Sequence, residues 1–325
     1  MATLLVLGLG GPAASQPSAE PPSLGSDTVE AVPELSDGTD VDTVDAAQSV
    51  EKYWTPERME NAIPADAPSA DASDPSMNDD QEDTDGTPES TPPAPPVADA
   101  GDSIALEETS SVGKVFYTKS DGKEYACSAS AVNSPSKQMV VTAGHCVNEG
   151  GKNGRKGKWV KNWTYVPQYR AGARPHGTFA AKEFRAFNGW IEKSNLHWDL
   201  GMVTTWPRNG KKLINVTGGN GLSYNYSRNQ SVTAWGYPIN RDFGRIQWWC
   251  KDTTKRVGLL DGRIEIDCNF GGGVSGGPWL REYNASTGLG YINGVFSTTV
   301  STGWNRSPYF GKSVHKMFKA QGSET

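Results

Sequence analysis

Residues 271–279 read GGGVSGGPW, a run that places Ser275 among glycines and returns at once to Pro278 and Trp279. Glycine runs of this kind usually mark a turn, but two other fragments change the reading: VVTAGHCV at 140–147 and HWDLGMV at 197–203. Hydrolysing an amide needs a nucleophile, a base to take its proton, an acid to support that base, and donors for the oxyanion. Each fragment offers one part. His145 sits just before a cysteine that can pin its loop, and Asp199 opens an apolar strand. Ser275 lies where flanking glycines let the backbone turn its N–H groups outward.

The elements that must position these residues are short strands. VGKVFYT, YACSASAV, QMVVTA, SVTAWGY and GYINGVFSTT are rich in Val, Tyr, Phe and Thr and are bounded by Gly, Asn, Ser or Pro. Helical periodicity appears late, in SVHKMFKAQG from Ser313 to Gly322, with Ser313 as the expected N-cap. The expectation is an all-β domain with a C-terminal helix.

TAGHC, WDLGM, GGVSGGPWL and the later SPYFG at 307–311, in this order, resemble the trypsin-like serine peptidases, and more closely their secreted microbial branch related to glutamyl endopeptidases. The resemblance covers nearly all of residues 106–325 and implies two antiparallel six-stranded β-barrels with the cleft between them. It implies His145 as general base, Asp199 as its orienting acid and Ser275 as nucleophile of a secreted serine endopeptidase acting through an acyl-enzyme. The N–H groups of Gly273 and Ser275 would form the oxyanion hole. Asn269, Phe270 and Phe296 fall where the family builds its specificity pocket. A trypsin-like preference would want a carboxylate in the place of Asn269 and a glutamyl preference a histidine in that of Phe296; neither stands there, and the two phenylalanines suggest a shallow or apolar site, so small or apolar side chains are expected. Val274 stands where digestive enzymes carry an aspartate that pairs with a freed N-terminal amine, so that activation route is closed.

Charge divides the chain. Up to residue 105 there are 22 acidic against 2 basic residues, a net of −20, so the remainder carries +14 within the formal −6 of all 325 residues. Residues 17–105 read as a largely disordered, Pro-rich, acidic pro-region, with a short helix near 55–63 begun by Thr55 and Pro56. Val50, Trp54, Met59 and Ile63 make an apolar stripe that needs a partner, and the basic domain is the expected one. The segment would then shield the domain until it is cleaved.

Residues 1–16 hold TLLVLGLGG followed by small residues, a signal-like segment without the usual preceding Lys or Arg. Extracellular location is expected, with protein or peptide substrates and no membrane span. The four cysteines suggest two disulfides with three possible connectivities. Sequence-local pairing, Cys127 with Cys146 and Cys250 with Cys268, closes two loops of similar size. No C-x-x-C pair or His-rich cluster suggests a metal, and no cofactor is expected. His176, His197 and His315 are expected at the surface. Lys152, Arg155, Lys156, Lys158 and Lys161 form a basic run, more often a solvated loop than a polyanion or nucleic-acid site. The alternative reading is a catalytically inactive binding module or adhesin of the same fold that recognises polyanions.

Overall fold

The computed structural model describes Met1 and residues 25–65, 86–97, 108–258 and 261–323; the signal-like segment otherwise lies outside the described residues. The N-terminal part contributes β1 (Thr28–Ala31), α1 (Val44–Tyr53), α2 (Pro56–Asn61), β2 (Ile63–Pro64) and β3 (Glu89–Ser90). The chain is thus more structured here than its composition predicts. Thr43 and Thr55 cap the two helices, their hydroxyls accepting from the N–H groups of Ala46 and Arg58.

The first body holds β4 (Val112–Thr118), β5 (Glu124–Val132), β6 (Met139–Thr142), β7 (Lys161–Pro167), β8 (Phe179–Phe187), α3 (Asn188–Lys193) and β9 (Gly201–Thr205). The strands pair in the order β8-β7-β4-β5-β6-β9, and β9 returns to β8, closing a six-strand barrel. Strand alternation places Val115 and Tyr117 inside it with Cys127, Val140, Trp163 and Phe184. The opposite face of β4 turns Phe116 outward, where it joins Val166, Tyr169 and Tyr237 in a second apolar surface.

That outward surface is what orders the N-terminal helices. Val50, Trp54 and Met59 are each at most 1 % exposed against it, and Trp54 Nε1 donates to the Asn162 carbonyl at 2.5 Å. An aromatic side chain buried in this way is worth about 3–5 kcal/mol against alanine, a part of what offsets an ordering entropy of about 1–2 kcal/mol per residue, to which the buried Val50 and Met59 add. Ile63, the fourth residue of the expected stripe, stays 43 % exposed because the chain there turns extended into β2.

The second body contains α4 (Leu213–Thr217), β10 (Gly221–Tyr224), β11 (Ser231–Gly236), β12 (Trp248–Thr253), β13 (Lys255–Arg256), β14 (Ile264–Ile266), β15 (Pro278–Asn284), β16 (Leu289–Val295), β17 (Thr298–Thr299) and β18 (Asn305–Ser307), followed by α5 (Lys312–Gly322). Its pairing divides between a six-strand sheet, β12-β11-β15-β16-β10-β3, and a four-strand sheet, β13-β14-β18-β17. Ile264, Phe270, Trp279 and Phe296 form its core. Another apolar cluster, including Trp190, Met202, Trp235, Leu280 and Phe318 of α5, spans the two bodies and fixes their relation. Gly311 rather than Ser313 is the N-cap of α5.

Candidate active site

Ser275 lies in the turn between β14 and β15. Gly273 and Gly276 adopt φ of +84° and +82°, a region open to glycine at little cost. A Cβ at Gly276 would stand 2.0 Å from Thr142 Oγ1 and 2.3 Å from the Ser128 carbonyl, so only glycine lets the loop press against the first barrel. Ser128 of β5 holds it there. Its N–H donates to the Ser275 carbonyl at 2.7 Å and its hydroxyl to the Gly273 carbonyl at 2.9 Å, while the hydroxyl accepts from Tyr237 N–H. Neighbouring Cys127 is joined to Cys146 by a disulfide, tying this strand to the residue after His145.

His145 sits in a one-turn 3₁₀ segment, Gly144–Cys146, after β6. Asp199 follows a second such turn, Leu196–Trp198, and is fully buried. The Asp199 carboxylate takes three hydrogen bonds: from His145 N–H to Oδ1 at 2.8 Å, from His145 Nδ1 to Oδ2 at 2.8 Å and from the Ser297 hydroxyl to Oδ2 at 2.6 Å. An ionised carboxylate only accepts, so the ring proton resides on Nδ1 and Nε2 is left as a base. His145 Nε2 is buried and has no hydrogen-bond partner among the described residues. Ser275 Oγ donates instead toward the carbonyl of Ala65, at 3.5 Å.

Beside Ser275 is a cavity of about 220 Å³ lined by Gly271, Gly272, Val274, Ser275 and the stretch Phe296–Thr299. Phe296 is among its lining residues, whereas Phe270 is not, its ring 5.8 Å from that of Phe296, and Asn269 is exposed outside it. Asn269 takes φ +52° with its side chain against Gly303, and the Phe270 carbonyl accepts from Thr299 Oγ1 and Asn305 Nδ2. Sequence reasoning missed Ser128, Ser297 and Thr298. The last, in the cavity wall, has a buried hydroxyl with no hydrogen-bond partner among the described residues. Ser297 follows Phe296 in VFST, and the only sequence signal for it was proximity to that pocket strand.

The remaining candidates lie elsewhere. His197 is buried rather than at the surface, its Nε2 3.4 Å from Asp261 Oδ1. Burial would raise the Asp261 carboxyl, yet hydrogen bonds from His197 and Arg263 hold it well below the usual carboxylate range. His176 and His315 are half-buried, the second stacked 4.1 Å from Tyr224. In the basic run, Lys156 pairs with Glu192 and Lys161 with Glu34. Cys250 and Cys268 form the second disulfide. Among the described residues the one His/Cys/Asp/Glu group close enough to grip a metal ion is Cys127, His145 and Cys146, whose sulfurs are joined to each other.

A scan against family models finds no match, and neither does a search of curated proteins. Solved structures do match. The protease Anisep from Arthrobacter nicotinovorans is 31% identical, over 67% of this chain and 98% of its own, with a TM-score of 0.61. The chain belongs to the trypsin-like serine proteases. A thermostable serine protease, AL20, from an extremophilic microorganism is 28% identical over 67% of this protease and 99% of its own chain, again at 0.61. A Glu endopeptidase at 18% identity and a TM-score of 0.53, over 70% of this chain and 99% of its own, shares the fold. This protease is therefore a peptide-bond hydrolase. None of its described helices is long and apolar enough to cross a membrane.

Proposed function

We propose that the protein is a secreted serine endopeptidase in which Ser275 attacks the scissile carbonyl, His145 is the general base and Asp199 supports it. Ser275 Oγ adds to the carbonyl carbon as its proton passes to His145 Nε2. The buried Asp199 carboxylate offsets the imidazolium charge, and the Gly273 and Ser275 N–H groups receive the oxyanion. His145 then protonates the leaving amine, and water repeats the sequence on the acyl-enzyme. The supporting observation is the Asp199 carboxylate that fixes the imidazole at Nδ1 and leaves Nε2 buried and unpartnered.

Among the described residues the cavity wall carries no charged side chain, which supports a small or apolar residue before the scissile bond. Two disulfides and the signal-like first residues support an oxidising, extracellular destination. Residues 17–105 act as the pro-region. The test is steady-state turnover of a peptide substrate by Ser275→Ala, His145→Ala and Asp199→Asn. Each should lose about 10⁴-fold or more in kcat, with circular dichroism unchanged; retention of activity by Ser275→Ala would remove the proposal.

A further inference from the structure

The segment Ile63–Ala65 runs into the cleft. Ala65 is fully buried; its carbonyl accepts from Gly273 N–H at 3.0 Å and from Ser275 Oγ at 3.5 Å, and its own N–H donates to the Ala126 carbonyl at 2.8 Å. Pro64 packs on Gly273. A peptide carbonyl therefore occupies the donor assigned above to the oxyanion.

We infer that Ile63–Ala65 is a built-in inhibitory strap lying in the cleft in the reverse of the substrate direction, so that it blocks Ser275 without being cut there. The inference rests on the roles given to Ser275 and Gly273. In a productive complex the residue whose carbonyl enters the oxyanion hole sends its side chain into the cavity lined by Phe296–Thr299. The residues before it continue on that side of Ser275, and those after it leave past His145. No residue of β5 lines the cavity. Yet Ile63 and Pro64, which precede Ala65, pair with Tyr125 and Ala126 of β5 in parallel. The chain reaches the Ala65 carbonyl from the leaving-group side, with polarity opposite to that needed to hand an amine to His145. Ser275 Oγ meets the oxygen of that carbonyl as a hydrogen-bond donor, which leaves His145 Nε2 without the serine proton it would take in an attack.

The strap is held by its own helices. Tyr53 Oη donates to Glu124 Oε1 at 2.8 Å and Arg58 pairs with the same oxygen, one residue before the paired Tyr125. Trp54 and Met59 are buried just upstream. A tethered segment of this kind competes at high effective concentration with any substrate.

The experiment is the rate at which a fluorophosphonate labels Ser275 in the full-length chain, read by mass spectrometry, together with the mass map of any self-cleavage. Label enters in proportion to the open fraction of the cleft. Trp54→Ala should label at least about tenfold faster than wild type, and the double variant Tyr53→Phe/Arg58→Ala about threefold faster. The double variant removes the two contacts to Glu124 and the stacking of Arg58 on the Tyr53 ring, leaves the buried apolar residues in place, and decides the matter should Trp54→Ala not fold. The bond after Ala65 should remain intact in wild type. Equal rates in all three proteins, or self-cleavage directly after Ala65, would overturn the strap while leaving Ser275 as nucleophile. Absence of label at Ser275 in every folded variant would overturn the nucleophile assignment and the strap with it.

Discussion

The Ser297 hydroxyl donates to Asp199 Oδ2 at 2.6 Å, the same oxygen that takes the bond from His145 Nδ1 at 2.8 Å. Because Ser297 also lines the cavity beside Ser275, one short stretch of the second body both shapes that cavity and hydrogen-bonds a carboxylate of the first. Ser297→Ala should lower kcat by about tenfold to a hundredfold, the cost of one charge-assisted hydrogen bond in a buried site. KM should change little. Steady-state kinetics on one peptide checks this.

The unpartnered Thr298 hydroxyl offers a second test. Thr298→Val keeps the shape of the side chain and removes a buried oxygen that has no hydrogen bond. Stability should stay within about 1 kcal/mol or rise, and kcat/KM for apolar residues before the scissile bond should rise a few-fold. A panel of peptides differing at that residue reads the change, and in wild type Glu and Arg should be the poorest members.

Lys114 of β4 supplies a pH dependence. Its ammonium is buried, donates to the Gly244 carbonyl at 2.7 Å and lies near Arg245, and burial lowers its pKa to about 8. Between about pH 8 and the ordinary lysine value near 10.4 the unfolded chain binds the proton more tightly than the folded one, so stability rises with pH across that window. Its contribution is lost as pH falls through the folded value. Melting temperatures of wild type and Lys114→Met, compared from pH 7 to 10, should converge toward the alkaline end after subtraction of the common trend.

Salt should have a weak effect on the N-terminal segment. Glu30–Arg185, Glu34–Lys161 and Glu51–Arg208 link it to the first body and Glu60–Arg245 to the second, but most of these groups are partly exposed. Such pairs contribute roughly 0–1 kcal/mol each, less than the buried Trp54, and apolar burial does not weaken with salt. Raising NaCl from low concentration to about 1 M, where the Debye length falls to about 3 Å, should therefore release the segment less than Trp54→Ala does, measured by protease sensitivity of residues 44–62.

Much of this architecture was legible in the sequence because its signals are local. The β4, β5, β6 and β11 strands follow from runs of β-branched and aromatic residues between turn formers, and the helix after Thr55 follows from its cap and Pro56. The fragments around His145, Asp199 and Ser275 were visible for the same reason. What escaped depends on tertiary contact. Ser128 reaches the Ser275 loop from the other barrel, and nothing in its own neighbourhood marks it. Asn269 and Phe270 stand at the expected sequence distance from the serine, but Asn269 takes a left-handed conformation and neither residue lines the cavity. The N-terminal helices looked too polar to fold alone; the apolar surface that orders them, Phe116 with Tyr169 and Tyr237, belongs to the barrel domain.

The most direct measurement is an acid quench of the full-length chain turning over a nitrophenyl ester, with the acyl adduct located by peptide mass. The account predicts the adduct on Ser275 in wild type, none in Ser275→Ala, and strongly slowed accumulation in His145→Ala. An adduct on another residue, or undiminished turnover by Ser275→Ala, would contradict it.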